Sequence, residues 1–274
     1  MTIEPFCTDD ILPFLKLAAA EGWVAEPWEF EFLLREFPQG CFVARGDNGE
    51  TTGYITSLCL LRSGWVGNLI VAEQCRGGGI GKALLGKALE ALRVAGAQTI
   101  WLTASNSGTP LYEKHGFKRV DTIIRWVGTG RQRHVVHSDK YKQDFLVVAS
   151  HDLDSNVWGD RREVLLNATV HRGQPLQNES GFIVRQPCGD AVQFGPFASL
   201  DTNSAVRLFD EAVGTVDVGT KIFLDVPLSN RAAVRILNRR GMQVCGSNEL
   251  MYAGKRPDYR PELLYGLATM GSCG

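Results

Sequence analysis

The sequence predicts a mixed α/β protein built from two related halves. Short strand-like runs alternate with amphipathic stretches of helical period, the pattern of sheets packed under helices. A stretch near residues 100–128 recurs near 222–254. Ile100-Trp101-Leu102 stands before Leu111 and Gly116-Phe117 as Ile222-Phe223-Leu224 stands before Ile236-Leu237 and Gly241-Met242. That is a repeat of domain size, not of a solenoid period. The chain is long enough for both copies, since 274 residues with 44% hydrophobic and 22% charged side chains can fill two ordinary cores.

A first helix is expected over 9–20, where apolar residues fall at 11, 12, 14, 15, 17 and 18 behind Thr8 or Asp9 as N-cap. Glu21-Gly22-Trp23 makes a turn, and 27–37 reads as a second helix with Phe30, Leu33, Leu34 and Phe37 on one face. A meander of three strands follows at 41–45, 52–61 and 65–71, its first turn marked by Asp47-Asn48-Gly49. After a glycine-rich turn at 77–81, a helix over 82–94 gains an apolar face from Leu84, Leu85, Ala88, Leu89 and Leu92 and ends at Gly96. A strand at 99–103, a short helix at 110–115 and a strand pair or long strand at 117–127 complete the half. Arg131, Arg133, His134, His137, Lys140 and Lys142 then crowd a stretch of little periodicity, read as the connection between halves.

Several classes are excluded. With 29 Lys+Arg against 30 Asp+Glu the net charge is -1, so there is no global basic footprint and no nucleic-acid partner is expected. No apolar run reaches the roughly 18 residues of a membrane span, and Met1-Thr2-Ile3-Glu4 does not open a signal peptide. A cytoplasmic location is expected. The seven cysteines are odd in number, scattered and free of any Cys-x-x-Cys pair, which reads as reduced thiols. The five histidines lack ligand spacing, so no metal is expected.

The chemistry is carried by the run from Leu69-Ile70-Val71 through Arg76-Gly77-Gly78-Gly79-Ile80-Gly81-Lys82. A strand enters a glycine-rich turn that opens a helix, and backbone N–H groups converging there make an anion site suited to a pyrophosphate. The dinucleotide fingerprint fails because position 82 is Lys. The Walker loop fails at Arg76 and Ala83. The pattern R/Q-x-x-G-x-G/A is met in full by Arg76, Gly79 and Gly81. A second motif, Pro110-Leu111-Tyr112-Glu113-Lys114-His115-Gly116-Phe117, follows after one helix and one strand.

These two motifs in this order resemble the acetyl-CoA site of the GNAT superfamily of N-acetyltransferases, over most of residues 1–127. Thr103 to Tyr112, the Glu21-Gly22-Trp23 turn, Gly195-Pro196-Phe197, Leu224-Asp225-Val226-Pro227 and Tyr265-Gly266-Leu267-Ala268 resemble the two-domain YitH-like type. The resemblance implies tandem GNAT folds, each a twisted, mainly antiparallel mixed sheet flanked by helices. It divides the chain into a catalytic domain at 1–130, a linker at 131–144 and a divergent domain at 145–274. No glycine-rich loop follows Phe197, so the second domain is expected to shape the acceptor site rather than bind coenzyme A.

The implied activity is transfer of an acetyl group from acetyl-CoA to a primary amine of a small metabolite or amino acid, by a monomer or homodimer. A non-catalytic acyl-CoA sensor is the alternative. Leu69, Ile70 and Val71 would hold the pantetheine through their backbone, Arg76 to Lys82 the pyrophosphate, and Ser105, Asn106 and Gly108 would border the cosubstrate. Tyr112 would protonate the departing thiolate. Glu21, Glu29 and Glu73 are the carboxylates near enough in sequence to serve as base, and Glu21 is the choice made here. Trp23, Asn68 and Asp225 are expected to meet the acceptor.

Overall fold

The computed structural model describes residues 1–131 and 147–274. The expected connection, Arg131 aside, therefore lies outside the described residues, with its cluster of basic side chains.

The first half runs β1 (Thr2–Pro5), α1 (Ile11–Ala20), α2 (Pro27–Glu36), β2 (Phe42–Arg45), β3 (Thr51–Cys59), β4 (Ser63–Val71), α3 (Ile80–Val94), β5 (Thr99–Ala104), α4 (Thr109–Lys114) and β6 (Lys118–Thr129). Helix α1 buries Ile11, Phe14 and Ala18, one face at helical spacing. Helix α2 starts with Pro27 in its first turn and with the Glu29 carboxylate accepting the Glu26 N–H, which satisfies a donor the helix would otherwise orphan. Helix α3 buries the five residues expected of it, Leu84, Leu85, Ala88, Leu89 and Leu92. Strand β1 is an addition to the sequence reading. Four residues are too short to show an alternation, and its pairing with β2 is tertiary.

The second half runs α5 (Val147–Trp158), α6 (Glu163–Arg172), β7 (Gln174–Asn178), β8 (Gly181–Cys188), β9 (Ala191–Ser199), α7 (Thr202–Gly214), β10 (Lys221–Pro227), α8 (Arg231–Arg239), β11 (Gln243–Gly254) and β12 (Leu264–Gly266). The repeat read in the sequence is β5–α4–β6 against β10–α8–β11. Gly116 and Gly241 occupy the same turn in each copy, at φ 84° and 74°, which only glycine adopts freely.

The twelve strands of the described residues form one sheet in the order β1-β2-β3-β4-β5-β11-β6-β10-β9-β8-β7, with β12 on β9. The halves trade their closing strands. β11, from the second half, pairs with β5 of the first, Met251 opposite Leu102. β6, from the first half, lies between β11 and β10, with Trp126 opposite Val244 and Leu224. The core is shared in the same way. Trp158 of α5 stands edge-on to Trp65 and Trp101 of the first half, with centroids at 5.9 and 5.4 Å. Asp160 accepts from Ser63 N–H at 2.8 Å and Ser63 O–H at 2.7 Å.

Two features of the first half open a site. Strands β4 and β5 are parallel, but their ladder covers only Ser63–Trp65 against Thr99–Trp101. Beyond it they have no paired register. β4 is also bulged: two residues, Asn68 and Leu69, stand between the pairs Thr56↔Gly67 and Tyr54↔Ile70, where β3 has only Ile55. Asn68 has φ 55°, a left-handed value that Asn tolerates better than most residues.

Candidate functional site

The glycine loop lies at the open end of the gap between β4 and β5. Gly77 and Gly79 have φ 84° and 83°, so the turn needs glycine at both. Gly79 is the N-cap of α3, and no side chain caps this helix or puts a carboxylate in its first turn. The leading N–H groups of α3 are therefore available to an anion, with the helix dipole behind them. Arg76 and Lys82 are exposed at the same turn. The matching helix of the second half differs. The Asp201 carboxylate caps α7 by accepting the Ser204 N–H at 2.9 Å, and this bond holds the carboxyl below its usual range. A carboxylate on the helix terminus excludes a phosphate from it.

Tyr112 stands on α4, just past the end of β5. Its ring is buried, edge-on to Phe117 at 5.9 Å, and an added Cβ at Gly108 would lie 3.2 Å from it. Burial raises the phenol still further above its ordinary pKa of 10, so it remains protonated at neutral pH. Ser105 and Asn106, both exposed, and half-buried Gly108 lie in the turn between β5 and α4, where Gly108 N–H donates to Ser105 Oγ at 3.2 Å.

Glu21 and Trp23 lie in the α1–α2 turn, and Glu21 reaches the loop. The Glu21 carboxylate, however, is paired with Arg76, which also donates to the Val71 carbonyl at 2.9 Å. Glu21 braces the loop arginine and is not presented as a base. Trp23 is exposed at the turn.

Glu29, one helix on, is a carboxylate shifted the other way from Asp201. It is buried, and desolvation raises its carboxyl to about 7, against the opposing pull of Ser272, the Glu26 N–H and Arg172. Glu29 lies in a narrow crevice of about 10 Å³, room for about one water, where Glu26, Trp28, Arg172, Cys188 and Gln193 also line the meeting of the two halves. A larger cavity, of about 850 Å³, lies in the second half between Arg131, Phe209, Asp210, Lys221 and Arg240, away from these groups.

A model of the acetyltransferase (GNAT) domain matches residues 38–119, and a second model of the same description matches residues 150–266. An N-alpha-acetyltransferase of Sulfurisphaera tokodaii is 32% identical, over 47% of this chain and 84% of its own length. The chain belongs to the GNAT acetyltransferases. It carries two domains of this family, whose members use acetyl-CoA. A ribosomal protein bS18 alanine N-acetyltransferase of Haemophilus influenzae is 38% identical over 27% of this chain. This chain spans 53% of that relative's length, about half. The whole fold is similar to a crystal structure from Pyrococcus horikoshii assigned to the acetyltransferases. The TM-score is 0.84 at 21% identity, covering 100% of this chain and 95% of that one. Among the described residues of this GNAT chain no helix is long and apolar enough to cross a membrane.

Two further expectations are corrected. Asp225 is wholly buried and fully used. Arg125 grips it through Nε and Nη2, both at 2.7 Å, and Gln193 donates to it at 3.2 Å. It is a structural partner of β6, not an acceptor ligand. Asn68 is also buried, and its amide donates to Thr56 Oγ1 at 2.9 Å and Ser272 Oγ at 3.1 Å. Its side chain holds the chain together behind the bulge rather than facing a ligand. Ser272 was not found from sequence, and no local signal points to it: 204 positions separate it from Asn68.

Proposed function

We propose that this GNAT acetyltransferase moves an acetyl group from acetyl-CoA to the primary amine of a small metabolite or amino acid. Residues 1–130 act as the catalytic half and residues 145–274 shape the acceptor side. One observation carries the reading: a glycine turn with an uncapped helix behind it opens onto the unpaired stretch between β4 and β5, with a protonated tyrosine at the end of β5. An anion-binding turn, a strand edge without a ladder partner and an acid, assembled at one place, are what thioester aminolysis needs.

Arg76 to Lys82 fit the pyrophosphate, and the backbone of Leu69, Ile70 and Val71 fits the pantetheine. The bound cosubstrate supplies the thioester carbonyl that the amine attacks. Backbone N–H groups beyond the Asn68 bulge polarise the carbonyl oxygen. Glu29 replaces Glu21 as the base. It takes one proton from the acceptor nitrogen as the C–N bond forms, and Tyr112 gives one proton to the sulfur as the C–S bond breaks. A carboxyl near 7 is matched to proton transfer at neutral pH.

A small acceptor is favoured because the strand gap is narrowed by the chain's own residues 270–272, which hydrogen-bond to both strands. The Haemophilus influenzae relative is named for a ribosomal-protein alanine, so a peptide amine is the competing acceptor class. Thiol release from acetyl-CoA, measured against amino acids, polyamines, aminoglycosides and peptides with free N-termini, tests the reading. Turnover of a small amine at 100-fold or more the kcat/KM of the best peptide is expected. Calorimetric binding of acetyl-CoA with no transfer to any amine would sink it.

A further inference from the structure

Gln186 of β8 carries a buried oxygen with no donor. The residue is 2% exposed, and its Oε1 has no hydrogen-bond partner among the described residues. The amide cannot turn over to find one. Its Nε2 donates to two carbonyls, Gly195 O of β9 at 2.5 Å and Ala268 O at 3.0 Å, and a flip would set Oε1 against both. Those carbonyls converge because the chains that carry them touch. After β12 the chain crosses back toward the first half, with Leu267 N–H on the Asp225 carbonyl at 2.9 Å. A Cβ at Gly195 would lie 1.8 Å from the Leu267 carbonyl, so β9 needs glycine there. A buried acceptor without a donor has lost its hydration and gained nothing in return. The site calls for a group that donates.

Gln186 lines the crevice of about 10 Å³ at the meeting of the halves, together with Trp28, Glu29, Arg172 and Gln193. The arginine there is already committed. Its Nη2 donates to Glu26 at 3.1 Å, and its guanidinium lies 4.6 Å over the Trp28 ring. Gln193 turns its Nε2 to Asp225 at 3.2 Å, so its oxygen is the end of the amide left over. What the crevice offers a ligand is therefore acceptors: two amide oxygens and the Glu29 carboxyl. A water would bring two lone pairs in search of donors. An ammonium group is about the size of a water, carries three donors and has no acceptor. Surplus acceptors around room for one water thus fit the head of a primary amine. They reject an anion, and the space rejects an N-methylated nitrogen.

We infer that Gln186, a residue of the second half, binds the acceptor: its Oε1 accepts an N–H from the acceptor's primary ammonium group, seated in the crevice that Glu29 also lines. The inference rests on the acetyl-transfer reading above and narrows its acceptor to primary amines. Gln186 holds the nitrogen and moves no proton. The proton that leaves goes to Glu29, on the other half of the same crevice.

The test uses the full chain as wild type and as Gln186→Met, which keeps the length and volume of the side chain without its oxygen. Methionine also drops the donors to Gly195 O and Ala268 O, so the wild type carries the binding test by itself. The Gln186 side-chain amide is followed by NMR while methylammonium chloride is added, with tetramethylammonium chloride as the control. Methylammonium should shift the amide signal to saturation. Tetramethylammonium, which has the charge but no N–H and too large a head, should leave it in place. In turnover, Gln186→Met should raise KM for the best amine of the panel about tenfold or more, with KM for acetyl-CoA unchanged. The N-methyl derivative of that amine should be acetylated by the wild type at a kcat/KM at least about 100-fold lower. A Gln186 signal that methylammonium does not move, or an N-methyl amine used as well as its parent, overturns the inference while leaving the acetyl-transfer reading intact; the crevice is then a seat for water. A wild-type chain that binds acetyl-CoA and acetylates nothing overturns that reading, and the inference with it.

Discussion

Raising a carboxyl from 4.5 to about 7, as burial does for Glu29, is worth about 3 kcal/mol. Between those values the folded chain holds a proton that the unfolded chain has released. The stabilising contribution is therefore fully present below 4.5 and is lost as pH rises through 7. Glu29→Gln keeps the shape without the charge, so it should raise stability at pH 8 by up to about 3 kcal/mol and change little at pH 4. The same variant should lower acetyl transfer about 100-fold or more. Denaturant unfolding at the two pH values, beside turnover, checks both effects; a Glu29→Gln chain as active as wild type would remove Glu29 from the chemistry. Tyr112→Phe separates catalysis from packing, because the ring contact with Phe117 survives. Transfer should fall by about 100-fold or more with acetyl-CoA affinity intact, whereas a chain that only sensed acyl-CoA would be indifferent. Asp225 calls for a different outcome. Its carboxylate is buried against Arg125, and Asp225→Ala leaves that guanidinium without its partner. A loss of about 3–5 kcal/mol is expected in unfolding experiments, with the acceptor KM of the remaining folded enzyme unchanged.

At the level of elements, the contrast between α3 and α7 supports the proposed place of coenzyme A. Both follow a strand and both pack on the sheet, but one begins with a bare glycine turn and the other with the Asp201 cap. Gly79→Ala forces a Cβ into a left-handed conformation, at a cost of about 1–2 kcal/mol. Because the strain sits in the loop, it should appear as roughly tenfold weaker acetyl-CoA binding in calorimetry. Gly86→Ala is the control. That glycine is inside α3 with open space around it, and the change should add up to about 1 kcal/mol of stability while leaving affinity alone. Equal affinities for the two variants would mean that the loop does not grip the phosphates. The loop, Tyr112 and the helix faces were legible in the sequence because each is set by residues within a few positions of one another. The roles given to Glu21, Asn68 and Asp225 were not. Their partners, Arg76, Ser272 and Arg125, lie 55, 204 and 100 positions away. A carboxylate next to a motif looks the same in sequence whether it is free or already paired.

The whole molecule raises the question of whether the two halves are separate folding units. The internal repeat suggests two domains in a row, but the sheet does not divide between β6 and α5. Both neighbours of β6 belong to the second half, and β5 is closed by β11. An excised 1–130 would therefore leave β5 with an unpaired apolar edge and β6 with no partner at all. Such edges invite association with other chains. The shared cluster of Trp65, Trp101 and Trp158 would also be broken. The intact chain should accordingly unfold in one calorimetric transition, with acetyl-CoA raising the temperature of the whole transition although its proposed site lies in the first half. Residues 1–131 expressed alone should aggregate or remain unfolded. Co-expression with 147–274 should recover a soluble complex that binds acetyl-CoA, because the strand exchange can form between two chains as well as within one. Two separate transitions, or a soluble 1–131 with full acetyl-CoA affinity, would show that the exchanged strands decorate two self-sufficient domains. In that case the crossing that carries Ser272 into the first half would be a docking contact rather than part of the folding unit.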